Sequence, residues 1–113
     1  MPIIRVENWL SDGWKHQVAP KILAACLAAE VPGIDRDATK ITVVFGGEMI
    51  LRNHRKVAVI VEGLFRRTDR SKRVRDRLAR SIGDAVKATL PRGFVVEVLV
   101  TRFDPKTDSF YEV

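Results

Sequence analysis

Two groups of residues in this chain are of types that do chemistry. Pro2 follows the initiator Met1, and removal of Met1 leaves its ring nitrogen as a secondary amine. An α-amino group titrates at about 7.7 to 8.0 and a prolyl one somewhat higher, so a modest downward shift makes it a general base at neutral pH. A lysine would need deep burial to serve in the same way. Pro2 also has a purely structural use, because a proline opens an edge strand without needing the N–H it lacks. The second group is Arg66, Arg67 and Arg70, within the basic stretch Phe65 to Arg73. A planar guanidinium grips a carboxylate bidentately, and the start of a following helix adds affinity for anions. Phe65 offers an apolar wall beside them. Tyr111, near the C-terminus, is either a hydrogen-bond donor to a substrate or part of a frayed end. An amine that takes a proton and arginines that hold a carboxylate suit proton transfer on a small carboxylated molecule, if the fold brings them together.

Other chemistry is excluded by spacing. His16, His54 and Cys26 show no metal-ligand pattern, so no metal site is expected. His54 reads as a turn residue, and the lone Cys26 packs as a small hydrophobe in an alanine-rich stretch. Gly46-Gly47 lacks the strand-loop-helix setting of a phosphate loop and reads as a tight turn. Trp9 and Trp14 read as core or interface residues. The net charge of +6 implies anionic partners without separating nucleic acid from small carboxylates. Within Lys72 to Arg80, the spacings Lys72/Asp76, Asp76/Arg80 and Arg80/Asp84 are all i,i+4, which predicts a ladder on a solvated helix face. Nucleic acid is therefore an unlikely partner, the more so because Phe65 is the only aromatic in the basic run.

The elements that must position these groups follow from periodicity. Across Pro2 to Glu7, Ile4 and Val6 share one face, and Ile3, Arg5 and Glu7 the other, as in a strand. Ser11 is the expected N-cap of a helix whose stripe is Trp14, Val18, Ile22, Cys26 and Ala29. Pro20 predicts a kink or a late start, and Val31-Pro32-Gly33 ends the helix. Lys40 to Phe45 is the second strand, with a short extension at Glu48 to Leu51 after the glycine turn. Val57 to Glu62, nearly all apolar, reads as a central strand covered on both faces. A long helix with a stripe at Val74, Leu78, Ile82, Ala85 and Thr89 stops at Leu90-Pro91-Arg92-Gly93, and Phe94 to Thr101 is the fourth strand.

The two halves repeat. Val6-Glu7 lies over Val61-Glu62, and Thr42-Val43 over Glu97-Val98, an offset of 55 residues in each case. At 113 residues the chain suits one domain, with pseudo-repeats at about 2–45 and 57–101. Each half is strand, helix, strand, and right-handed crossover makes its two strands parallel. The expected fold is α/β (α+β): a duplicated β-α-β unit forming a four-stranded mixed sheet with both helices on one face. The other face then lacks cover. Its apolar residues, with Leu23 and Leu27, predict a homo-oligomer.

In these features the sequence resembles the tautomerase superfamily, which includes 4-oxalocrotonate tautomerase, macrophage migration inhibitory factor and cis-3-chloroacrylic acid dehalogenase. The resemblance rests on Met1-Pro2 opening a strand, on the duplicated unit, and on Val61-Glu62-Gly63-Leu64-Phe65-Arg66-Arg67-Thr68-Asp69-Arg70-Ser71. That segment is similar to the stretch of the dehalogenase branch whose two arginines bind the substrate carboxylate. Arg66 and Arg70 match them if one extra residue is allowed between. The resemblance implies a tautomerase/MIF-like fold, a trimer and the N-terminal proline as catalytic amine. The chain also departs from the pattern. The arginine of the tautomerases' second strand corresponds to Thr42, the one after their first strand falls near Leu10 or Ser11, and the dehalogenase histidine falls near Ala28 or Ala29. Tyr111 and Glu112 would stand for the dehalogenase's tyrosine and water-activating glutamate.

The expected function is a cofactor-free tautomerase or isomerase acting on a small carboxylated keto/enol substrate, with Pro2 as base and Arg66, Arg70, Phe65 and Tyr111 at the substrate. Related hydratase, dehalogenase or decarboxylase chemistry, and a non-catalytic basic oligomeric binding module, are the alternatives. With no membrane span and no signal-peptide plan, the expected location is the cytoplasm.

Overall fold

A computed structural model describes residues 2–34, 41–47, 55–109 and 111. Met1, Lys40, the extension at Glu48 to Leu51, the turn residue His54 and Glu112 lie outside the described residues. The order is β1 (Ile3–Glu7), α1 (Asp12–Ala28), β2 (Thr42–Phe45), β3 (Lys56–Phe65), α2 (Lys72–Lys87) and β4 (Val95–Phe103). Two helices pack on one face of a four-stranded sheet of order β2-β1-β3-β4.

Each strand-helix-strand unit closes as a parallel pair. Ile3 lies opposite Thr42 in the first unit and Ala58 opposite Glu97 in the second. Adding the 55-residue offset to the first pair gives the second, so the repeat in the sequence is also a repeat in strand register. The two units meet through β1 and β3, which run antiparallel with Ile3 opposite Glu62 and Val6 opposite Val59.

Alternation along the strands decides which side is core. Phe45, Val6, Val59 and Val98 make one row across the helix-covered face, and Val43, Ile4, Val61 and Val100 make the next. Ile4, Val6, Val57, Val59 and Val61 have no exposed surface. From the helices they meet Trp14, Val18, Ile22 and Cys26 of α1 and Leu78, Ile82 and Val86 of α2. Each of these large side chains contributes about 1.5 to 3 kcal/mol by leaving water. The expected α1 stripe is the observed one. On α2, Val86 takes the buried place, while Ala85 and Thr89 are half-buried at the margin. Thr89 accepts a hydrogen bond from Trp14 Nε1 at 2.9 Å, and that bond satisfies the buried indole.

Three expectations are corrected. α1 starts at Asp12, capped by Ser11 Oγ, and runs through Pro20 without a late start. Pro20 is exposed and so is His16, so the carbonyl that loses its partner to the proline faces water. β3 has one fully buried face, not two: Ala58, Ile60 and Glu62 on the far side are only half-buried. It also runs past Glu62, because Gly63 at φ 74° admits a bulge after which pairing resumes at Leu64 with Arg102. Finally, the i,i+4 ladder on α2 closes only at Lys72 and Asp76, 2.7 Å apart, among the described residues. Arg77, though exposed, spends its guanidinium on the end of α1 and not on the ladder. Its Nε donates to Ala29 O at 2.8 Å and its Nη2 to Glu30 O at 3.1 Å. α1 has no basic residue in its own last turn, so Arg77 supplies the cation its C-terminus lacks.

Among the described residues, no helix is long and apolar enough to cross a membrane. Cys26 is buried, and desolvation pushes its thiol up to about 11. At pH 8 the native protein should therefore react with a thiol reagent at least 100-fold more slowly than the denatured protein, because the thiolate is both scarce and covered. Comparable rates in a stopped-flow labelling assay would show that α1 does not pack as described.

Candidate functional site

One end of the sheet gathers the candidate residues, and the antiparallel pairing is the reason. β1 begins where β3 ends, so Pro2 lies beside the Glu62–Gly63 end of β3. Its ring follows the alternation of Ile4 and Val6 and is buried, while its carbonyl accepts a hydrogen bond from Thr42 N at 3.3 Å. α1 ends and α2 begins at this same end. Ser11 and Ser71, the two N-caps, are 60 residues apart while the strands repeat at 55, so the second unit carries five extra residues between strand and helix. That longer connection holds the arginines.

Arg70 is the residue around which the connection is folded. It is 8% exposed, the one buried charged side chain among the described residues. Its Nε donates to Pro32 O at 2.8 Å and its Nη1 to Phe65 O at 2.7 Å, tying the end of β3 to the segment after α1. Burial is the main influence lowering its pKa, with repulsion from Arg67 next and attraction to Asp69 opposing both. Gly33 completes the contact at φ 79°: a Cβ there would lie 1.8 Å from Arg67 Nη1 and 2.8 Å from Arg70 Nη2. These bonds make Arg70 part of what holds the fold together.

Arg66 and Arg67 turn outward. Arg66 is 62% exposed at the side chain, with Nη1 3.2 Å from Asp104 Oδ2. Arg67 grips Asp69 with two bonds of 2.7 and 2.9 Å. Asp104 also accepts from Lys106 N at 2.9 Å, and that bond, with Arg66, holds its carboxyl below the usual carboxylate range. It therefore stays ionised well into acid, and its contribution is lost only as pH falls through that lowered value. Phe65 stacks on Phe103 with ring centroids 5.0 Å apart. Tyr111 stands 87% exposed and does not line the site.

A cavity of about 480 Å³ is walled by Arg66, Arg67 and Arg70, by Arg75 of α2 and by Arg102 and Lys106 at the end of β4, with Asp104 the only acid in the lining and neither Phe65 nor Tyr111 part of it. Sequence reasoning missed Arg75, Arg102 and Lys106. Arg102 lies one residue beyond the expected end of the fourth strand, and only the bulge at Gly63, which lets β3 and β4 run on together, brings it here.

A fused 4-OT, solved as an asymmetric trimer, superposes with a TM-score of 0.66 over 96% of this chain and 91% of its own, at 11% identity. The chain has a β-α-β tautomerase-like fold. Malonate semialdehyde decarboxylase matches at TM-score 0.57, 15% identity, over 99% of this chain and 91% of its own. A probable enzyme from Aspergillus fumigatus matches at 0.61 and 22%, over 97% and 80%. No protein-family model and no curated protein matches the sequence.

Arg70→Ala should lower stability by about 2 to 4 kcal/mol, since it strands two carbonyls that the guanidinium now satisfies. The melting temperature should fall by roughly 10 °C or more. Arg73→Ala, on the exposed face of α2, should shift it by less than about 2 °C. Equal melting of the two variants would remove the clasp role.

Proposed function

We propose that this protein is a cofactor-free tautomerase or isomerase of small carboxylated keto/enol molecules, with the Pro2 amine as general base once Met1 is removed. The observation that supports this reading is the register of β1 on β3, which pairs the start of one strand, next to Pro2, with the Glu62 end of the other, from which the arginine connection leaves. In this reading the amine takes a proton from the carbon α to a carbonyl and returns it at another carbon. Arg66, with the outer edge of Arg70, holds the carboxylate and stabilises the charge that develops on the enolate. Phe65, already stacked on Phe103, provides an apolar wall. Burial of Pro2 disfavours an ammonium at this position, which suits a base more than an acid. Tyr111 has no part in the site within one subunit.

The same reading makes the protein a homo-oligomer, with three subunits as in the fused 4-OT trimer. The sheet face opposite the helices carries Ile3, Val44, Val95 and Leu99 as exposed large hydrophobics, with Val95 at 55% and Leu99 at 49%. Val44, Arg5, Ile60 and Leu99 run in one row across it. The charges on this face are paired, Arg5 with Glu62 at 2.7 Å and Lys56 with Glu97 at 3.2 Å. A face with its ions neutralised and its hydrophobics bare suits burial against other copies.

Ketonisation of 2-hydroxymuconate or of the phenylpyruvate enol, followed by ultraviolet absorbance on protein whose intact mass lacks Met1, tests the chemistry. Pro2→Ala should cost roughly 100-fold or more in kcat/KM. Arg66→Ala should raise KM by roughly 10- to 100-fold, with Arg73→Ala near wild type. Wild-type rates in the Pro2 variant would end the base role. A retained Met1, which makes the proline nitrogen an amide, would do the same. Light scattering at micromolar concentration should give about three times the chain mass, and a monomer would refute the assembly.

A further inference from the structure

The cavity beside the arginine connection holds more positive charge than one carboxylate can answer. Of its six basic side chains, Arg67 is satisfied by Asp69, Arg66 shares Asp104, and Arg70 is fastened to two backbone carbonyls. Arg75, Arg102 and Lys106 form no ion pair among the described residues, yet all three line one cavity. They come from different elements: Arg75 from the first turn of α2, Arg102 from β4, and Lys106 from the turn after it. That turn is itself fixed, with Asp104 N donating to Asp108 Oδ2 at 2.9 Å and Asp108 N to Asp104 O at 2.7 Å. Arg75 Nε reaches only the Arg70 carbonyl, at 3.4 Å, and Lys106 acts on Asp104 without an ion pair, so three cations held by three separate elements favour an anion that joins them.

The β4 side of this cavity lies away from the strand that bears the proposed base. Arg102 lies on β4, and β3 stands between β4 and the strand that begins at Pro2. At about 4.8 Å per strand the lateral separation of the two strands is about 10 Å. Pro2 is not part of the cavity lining. The charge also fits one chemistry better than another. A carboxylate brings one negative charge and two oxygens, whereas a phosphomonoester brings about −1.5 to −2 and three acceptor oxygens. The cavity opens to solvent, with Arg102 and Lys106 exposed, so the group esterified to the phosphate has room to project outward.

We infer that the cavity between the β3–α2 connection, the end of β4 and the following turn is a binding site for a phosphate group carried by a small molecule, with Arg75, Arg102 and Lys106 as its principal ligands. The inference goes beyond the proposed tautomerase reading and does not depend on Pro2.

Amide chemical-shift titration with inorganic phosphate, at constant ionic strength, is the experiment. Saturable shifts are expected at residues 66–75 and 102–106, with acetate at least 10-fold weaker. Arg102→Ala and Lys106→Ala should each weaken phosphate binding about 10-fold, as loss of a charged hydrogen bond does. Both residues are exposed, so these variants should keep the wild-type melting temperature. Arg73→Ala should change binding by less than 2-fold, and Pro2→Ala should leave it intact even where it abolishes ketonisation. Acetate binding as tightly as phosphate would overturn the assignment in favour of a carboxylate subsite. Unsaturable or scattered shifts would remove the site altogether. An oligothymidylate that binds with steep salt dependence and is weakened equally by Arg73→Ala would make the surface a nucleic-acid face and overturn the small-ligand reading.

Discussion

Antiparallel pairing of β1 with β3 is the contact on which the rest of the structure depends. Each β-α-β unit alone has a two-stranded parallel sheet and one helix, too little to bury its apolar faces. Joining the units through β1 and β3 makes a continuous sheet, and Ile4 and Val6 become part of the same rows as Val59 and Val61. The same pairing sets polarity. Because the central strands run in opposite directions, the start of one unit coincides with the end of the first strand of the other. α1 ends where α2 begins. A negative helix terminus therefore stands beside a positive one, and Arg77 and Ser81 of α2 bind the last carbonyls of α1 across that gap.

The two units differ in their connections, the longer strand-to-helix stretch of the second being offset by a shorter helix-to-strand one. Strand register is identical in the two units, but the connection from strand to helix is five residues longer in the second. A longer surface connection costs little in closure entropy, so a loop is where an inserted stretch is tolerated. The inserted stretch is ordered by Arg70, whose guanidinium replaces the backbone partners that the loop carbonyls would otherwise lack. A buried charge of this kind is stable only while its hydrogen bonds are complete. Gly33 is part of the same device, since any side chain there would occupy the space of Arg67 and Arg70.

Functionally, one end of the sheet holds two zones of different character. Around Pro2 the backbone is sheet-bonded and the ring buried. Across β3, toward β4, the surface is open and cationic. In the proposed function a base in a dry place and a charged anchor in a wet one would be complementary demands. A nucleophile or base benefits from lost hydration, while anion capture benefits from exposed guanidinium groups that diffusing ligands can meet.

The amino-acid sequence by itself determined the number and type of elements, because strand alternation and helical stripes are local: the α1 stripe, the Ser11 cap and the in/out order of Ile3 to Glu7 stand as read. It also determined the fold, since the 55-residue repeat leaves few ways to pair two identical units. Which arginine does what was settled elsewhere. Arg66, Arg67 and Arg70 look alike in the chain, and their different fates depend on Asp69, two residues from Arg67, and on Pro32 O and Asp104, brought near by packing of distant segments. Arg102 enters the cavity only because a bulge at Gly63 lets β3 and β4 continue together beyond the apolar pattern. Pro20 stays inside a helix because the carbonyl it orphans faces water, a fact of burial that no local pattern carries. Tertiary structure alone decided these points, since hydrogen-bond partners and solvent exposure are properties of what surrounds a residue and not of the residue.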